Sequence, residues 1–172
     1  MALGSVAMSR AVSVRLRVRR ATENDLGEIA GLLAALGYRF DDDSTLAESL
    51  RDTLERPDLA LFLACDPHTD RPVGLLLVSQ RPQLQLGGTL VSIDTLVVNP
   101  DVRGLGVGRR LLRRARAFAR LHRAVRVEVN TTRTRENYRR GFYPANDYEE
   151  ADAALFRLAP LERRLAVVTK KM

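Results

Sequence analysis

The sequence has one cysteine, no tryptophan and only two lysines, Lys170 and Lys171. A single cysteine excludes an intramolecular disulfide, so a reducing compartment, the cytoplasm, is expected. Cys65 lies within the apolar run Leu59–Cys65, where a thiol reads as a small buried hydrophobe rather than a nucleophile. No apolar run approaches the ~20 residues needed to span a bilayer. The first ten residues lack the sustained apolar stretch of a secretion signal. The two histidines, His68 in a turn and His122 at a helix end, form no metal-ligand pattern and read as solvated, so no metal is expected. Aromatic residues make up 5% of the chain. That is few for a module that stacks nucleic-acid bases, so a nucleic-acid partner is not expected.

The chain does have abundant arginine. Two lysines among 28 basic residues leave 26 arginines, against 21 acidic residues and a formal net charge of +7. Such a surface suits a polyanionic small ligand as readily as nucleic acid. At 172 residues, 45% hydrophobic and 28% charged, the composition is that of one soluble globular domain with one core.

The apolar pattern alternates between the two regular periods. Val14–Arg20 interleaves Val14, Leu16 and Val18 with arginine, as in a half-buried strand. Thr22–Asp25 is a capping pattern ahead of Leu26, Ile29, Ala30, Leu32, Leu33 and Leu36 at helical spacing, and Gly37 closes that helix. After the loop Tyr38–Asp43, Ser44 is expected to cap a helix over Thr45–Glu55 that Pro57 stops. Leu59–Cys65 and Val73–Gln80 flank turn residues and read as a hairpin, with a further turn over Pro82–Gly88. Thr89–Val98 is a strongly apolar strand, in which alternation places Asp94 and Leu96 on one face and Ile93, Thr95 and Val97 on the other. A helix over Val107–His122 follows, apolar along Leu111, Leu112, Ala115, Phe118 and Ala119 and arginine-rich opposite. Val125–Val129 reads as a strand, Arg135–Pro144 as a helix, and Tyr148–Ala151 and Ala153–Leu158 as short strands. The order predicts a mixed α/β layer fold.

The chemistry is concentrated in Asn99–Arg110, where a buried strand runs through alternate glycines into a helix. Glycine admits positive φ and close approach of a ligand to the backbone. Converging N–H groups and a helix N-terminus attract an anion, and a guanidinium such as that of Arg103 grips phosphate oxygens with a planar fork. A P-loop is excluded because the segment has no lysine. A dinucleotide fingerprint fails because Arg109 stands at its third glycine, with no acid about 20 residues on. The pattern Arg-x-x-Gly-x-Gly is filled completely by Arg103, Gly106 and Gly108.

Here the sequence resembles the GNAT superfamily of N-acetyltransferases. Ile93–Pro100 is similar to the family's fourth strand leading into its coenzyme loop, and Gly141–Tyr148 to its late Phe-Tyr-x-x-x-Gly-Phe segment. The resemblance extends over residues 15–158 or so, with 14–158 as the domain, 1–13 as a flexible tail and 159–172 as a C-terminal extension. It implies a central, mostly antiparallel mixed sheet of about seven strands and about four helices, with strands four and five splayed and the coenzyme arm between them. It also implies direct transfer of an acetyl group from acetyl-CoA to a primary amine. Leu96, Val97 and Val98 would hold the arm, Arg103, Gly104, Leu105, Gly106, Val107, Gly108 and Arg109 the diphosphate, and Asn137 or its neighbour Glu136 would touch the arm. Tyr143 would protonate the departing thiolate. Asp94 would relieve the ammonium of its proton, with Glu128 as a weaker alternative; a carboxylate stabilising a strand end is the plain structural reading of Asp94. Asp147 and Tyr148 depart from the family's glycine and phenylalanine.

The acceptor is left open. The loop Gly37–Asp43 carries acids that would draw a cationic amine, although such residues also simply cap helices. A small-molecule amine ranks first. The alternatives are a protein lysine or N-terminal amine, a non-catalytic coenzyme sensor, or a nucleic-acid-binding module using the arginine helix. A homodimer through Ala153–Leu158 and Leu165–Val168 is expected, since an exposed edge strand is a liability.

Overall fold

A computed structural model describes residues 16–40 and 42–156. The expected N-terminal tail, the strand start at Val14, Asp41, and the C-terminal extension with Leu165–Val168 lie outside the described residues. Five strands form one sheet in the order β1 to β5: β1 Arg17–Arg20, β2 Leu59–Cys65, β3 Pro72–Gln83, β4 Gly88–Val98 and β5 Ala124–Val129. The first four pair antiparallel, and β5 joins β4 in parallel. The helices are α1 Leu26–Ala34, α2 Asp43–Glu55, α3 Val107–Leu121 and the single turn α4 Glu136–Arg139. Among the described residues no helix is long and apolar enough to cross a membrane.

Both faces of the sheet are covered, which explains why β2 reads as a continuous apolar run. Ala60, Phe62 and Ala64 of β2 and Leu76 and Val78 of β3 meet Leu111, Leu112, Ala115 and Phe118 of α3. Leu61, Leu63 and Cys65, with Leu75, meet Ile29 and Leu32 of α1 and Leu50 of α2. Cys65 is fully buried on this second face, and burial pushes its thiol pKa up. It packs as a hydrophobe.

The expected order of elements holds through β5, with corrections at several ends. The cap of α2 is Asp42, whose carboxylate accepts from the Ser44 N–H at 2.9 Å, rather than Ser44. Pro82 lies inside β3, not in a turn. Beyond Ser79 that strand has no β2 partner, so proline's missing N–H costs no ladder bond there. The helix expected over Arg135–Pro144 stops at Arg139. Gly141 adopts φ 63°, and the N–H groups of Phe142 and Gly141 return to the carbonyls of Asn137 and Tyr138, the double closure of a Schellman ending.

The expected strands at Tyr148–Ala151 and Ala153–Leu158 are not formed over the described residues 148–156. The sheet therefore has five strands among the described residues rather than seven. Arg116 stacks over the Tyr148 ring at 5.3 Å, and Glu150 is taken by Arg133 at 2.9 Å and by the Tyr138 hydroxyl at 2.8 Å. Ala151, Ala153 and Ala154 add little strand preference.

At the start of α1 the expected capping pattern carries a half-buried ion pair. The Thr22 N–H donates to the Asp25 carboxylate at 2.8 Å, and Arg19 grips the same carboxylate with both nitrogens, at 2.6 and 2.8 Å. These bonds hold the Asp25 pKa down to about 2, against an ordinary value of about 4. The resulting stability is fully present at neutral pH and is lost as the pH falls through about 4 towards about 2. Asp25→Ala strands the Arg19 guanidinium and removes the cap. It is expected to cost about 2 kcal/mol, read as a lower urea midpoint at unchanged slope, and to flatten this acid limb.

Candidate functional site

The site begins where β4 and β5 part. Their parallel pairing runs from Thr89↔Ala124 to Ile93↔Val129 and ends there, because β5 ends. The rest of β4, Asp94–Val98, continues with β3 as its partner on one side and no strand among the described residues on the other.

A bulge sets the aim of this free stretch. Val78 pairs with Ile93 but Leu77 pairs with Thr95, so Asp94 is an extra residue in β4. It reverses the alternation expected from sequence. Ile93 joins Leu96 and Val98 on the α3 face, while Val97 turns to the α1 face. Asp94 itself is exposed. An inserted residue of this kind redirects the side chains beyond it.

After β4, a short 3-10 turn at Pro100–Val102 leads into the glycines. Gly104 and Gly106 adopt φ of 83° and 85°, and a Cβ at either would meet open space. Gly106 is the N-cap of α3, so the N–H groups of the following turn have no partner within the helix. Gly108 serves differently: it is helical, and a Cβ there would lie 2.9 Å from the Phe142 ring. Gly74 of β3 likewise lets Val107 approach, its would-be Cβ being 2.9 Å from Val107 Cγ1. The helix start is thus seated against the sheet on one side and Phe142 on the other.

Around this start lies a cavity of 720 Å³. Its walls include Leu96, Val97 and Val98 of β4, Arg103, Gly104, Gly106, Val107, Gly108 and Arg109 of the loop and α3, and Asn137 of α4. These are sequence-predicted positions, brought together from three elements. Leu105 is 58% exposed and is not part of the wall. Ala34, at the end of α1, and Ala35–Gly37 after it, with Arg135, Arg140, Phe142 and Asn146, also line the cavity. Gly37 belongs to the expected acceptor loop and Phe142 and Asn146 to the late family segment, but sequence reasoning assigned none of them to the coenzyme. For Arg140 a signal exists in its spacing of one helical turn from Glu136; for Ala34, Ala35, Leu36 and Arg135 there is none.

Cations dominate the walls: Arg103, Arg109, Arg135 and Arg140 against Glu136. Arg103 Nε–H donates to the Val98 carbonyl at 3.3 Å, and its guanidinium lies 3.7 Å from the Glu136 carboxylate. Arg140 approaches the same carboxylate at 3.4 Å. Such long, exposed pairs are weak and readily exchanged for another anion.

Tyr143 and Asp94 do not line the cavity. Tyr143 is buried at 8% exposure, directly behind Asn137, whose amide donates to the Tyr143 hydroxyl at 3.3 Å. Burial raises the phenol pKa, and the positive charge of Arg135 and the hydrogen bond from Asn137 offset that only in part. The group stays protonated through neutral pH, with its own hydrogen available to donate. Glu128 is exposed and pairs with Arg126 at 3.3 Å, on the part of β5 that still pairs with β4. Among the described residues, no cluster of three or more His, Cys, Asp or Glu side chains could hold a metal ion.

Comparison with known proteins agrees with this geometry. A family model described as the acetyltransferase (GNAT) family matches residues 24–144. An amino-acid acetyltransferase of Ralstonia nicotianae is 34% identical over 158 residues, covering 90% of this chain. The chain spans about a third of that relative's length, 32%. Among solved structures, a transcriptional regulator from Bacillus halodurans C-125 superposes with a TM-score of 0.73 at 21% identity, covering 84% of this chain and 100% of its own. An aminoglycoside acetyltransferase from an uncultured soil metagenomic sample, in complex with sisomicin, gives 0.70 at 20% identity, covering 86% and 97%. At these identities the structures share the fold.

Proposed function

The chain belongs to the GNAT family of acetyltransferases, and from that premise we propose that it transfers an acetyl group from acetyl-CoA directly to the primary amine of a small molecule. The observation that carries this reading is the junction of three features in one cavity: the end of β4, which among the described residues has no strand on its β5 side, the open glycines before α3, and four arginines. A coenzyme with an amide-bearing arm and a diphosphate needs all three. The Leu96–Val98 backbone hydrogen-bonds the arm as a strand would. The N–H groups from Gly104 to Arg109 and the Arg103 fork take the diphosphate.

Acetyl-CoA supplies an activated acyl group as a thioester. The chain's own residues then position, polarise and move protons. A backbone N–H held rigidly on β4 is a preorganised donor to the acyl oxygen. The Tyr143 phenol is protonated and stands behind the cavity wall at Asn137; with the Asn137 side chain turned aside it would give its proton to the leaving sulfur. Asp94, displaced outward by the bulge, takes the proton that the amine must lose before attack. The acid beside the diphosphate site is Glu136, whose hold on Arg103 is weak enough to be exchanged for phosphate.

An amino acid is the first acceptor to test, because the Ralstonia nicotianae relative is named an amino-acid acetyltransferase. The test is thiol release from acetyl-CoA across a panel of amino acids, polyamines, aminoglycosides and peptide N-termini. Turnover confined to peptides would replace the small-molecule reading with a protein acceptor. Asp94→Asn is expected to leave the acetyl-CoA KM unchanged and to lower kcat by about a hundredfold. An unchanged kcat would remove Asp94 as the base.

A further inference from the structure

A second hollow opens beside the first. It has a volume of 280 Å³ and lies between α3 and the 3-10 turn Pro144–Asn146. Arg109, Arg113 and Arg116, on successive turns of α3, line one side, with Asn146 and Asp147 opposite. Arg109, Ala145 and Asn146 line both hollows, so the two adjoin.

Three guanidinium groups here meet one carboxylate. Arg116 is already engaged: it pairs with Asp147 at 3.1 Å and donates to the Asn146 carbonyl. Arg109 and Arg113 are exposed and make no ion pair among the described residues. Four residues apart, they emerge on one helix face about 6 Å from each other along the axis. The hollow is therefore a net cationic pocket one turn beyond the diphosphate cradle.

We propose that this hollow binds the phosphate monoester on the coenzyme's ribose, through Arg113 with Arg109, and so makes the protein selective for CoA over its 3′-dephospho form. The inference rests on the coenzyme reading above. In CoA the ribose 3′ oxygen is separated from the 5′ oxygen only by C5′, C4′ and C3′. A ribose whose diphosphate lies at Gly104–Arg109 sets its second phosphate within roughly one to two helical turns, a reach that includes Arg113, which shares the hollow with Arg109. At neutral pH that phosphate carries close to two charges, and a guanidinium can hold it with two parallel bonds. The Arg116–Asp147 pair keeps the opposite wall in place and prevents Asp147 from opposing the phosphate with a free charge.

The test compares acetyl-CoA with acetyl-3′-dephospho-CoA by calorimetric titration, in the unaltered chain, in Arg113→Ala and in Arg120→Ala. Arg120 is an exposed arginine of α3 outside the hollow, and controls for general charge. The unaltered chain and Arg120→Ala are expected to bind acetyl-CoA about tenfold or more tighter than the dephospho form, the size of one charge-assisted contact. Arg113→Ala is expected to lose that advantage while its affinity for the dephospho form is unchanged. Equal affinities in the unaltered chain would overturn the assignment. So would an Arg113→Ala loss shared by both forms, or an Arg120→Ala loss as large as that of Arg113→Ala. Failure of both donors to bind would instead overturn the coenzyme reading itself.

Discussion

Gly106→Val is expected to raise the acetyl-CoA KM by at least about a hundredfold, or to abolish saturation, while the chain stays folded. Two effects act together. The Gly106 φ of 85° is a conformation that a β-branched residue adopts only at a cost of roughly 1–3 kcal/mol. The open space over its Cα is the space a diphosphate would enter, so the isopropyl group displaces the ligand from the N–H groups that follow. Each charge-assisted hydrogen bond lost costs about 1.5–3 kcal/mol, and two such losses suffice for the expected change. Arg103→Glu should act in the same direction without backbone strain, because it turns an attractive charge at the cavity wall into a repulsive one. Steady-state kinetics with a thermal melt check both. Normal acetyl-CoA saturation in both variants would mean that the loop is not the cradle.

Tyr143→Phe is expected to lower kcat by about a hundredfold or more, with the acetyl-CoA KM close to its original value. The ring keeps its packing: Phe142 lies edge-on at 5.2 Å and Tyr148 at 6.1 Å, so phenylalanine fills the same space. What is lost is one donatable hydrogen and the acceptor for the Asn137 amide. The raised phenol pKa adds a second expectation. Since the acid form persists above the ordinary tyrosine value of about 10, Tyr143 should contribute no alkaline fall in rate below that pH. An unchanged kcat in the variant would remove Tyr143 from the proton transfer and leave it as packing beside the cavity.

Much of this architecture is legible in the sequence, because each part depends on local rules. The glycine loop stands out by having no alternative use: a buried strand ending at Val98 and a helix beginning at Val107 leave little reason for Gly104 and Gly106 except positive φ. The apolar stripe of α3 and the capping residues Thr22–Asp25 are likewise local signals. The bulge at Asp94 is not legible, since an extra residue looks the same in sequence as a regular one. Its consequence, the exchange of faces between Ile93 and Val97, depends on pairing with β3. The division of labour among the glycines is equally hidden. Gly104 and Gly106 serve φ, whereas Gly108 yields room to Phe142, a residue far along the chain. The two late strands fail for a related reason. The sequence of Tyr148–Ala151 cannot reveal that Tyr148 is covered by Arg116 and Glu150 is held by Arg133, both distant along the chain.

The tie between Arg116 and the 144–148 turn bears on function as well as fold. It joins α3, whose first turn borders the cavity, to the segment that carries Tyr143. The family-typical glycine is replaced by Asp147, which takes φ 63°, a conformation that aspartate tolerates better than most residues. Its carboxylate then provides the partner for Arg116. One departure from the family pattern thereby supplies its own anchor.

The most direct measurement is calorimetric titration of the purified chain with acetyl-CoA, with AMP and a nicotinamide dinucleotide as controls. Saturable binding of acetyl-CoA is expected in the range of ordinary substrate affinities, about 1 μM to 1 mM, with markedly weaker binding of both controls. Folded protein that binds no acetyl-CoA, or binds the nicotinamide dinucleotide equally well, would contradict the assignment of this cavity to the coenzyme.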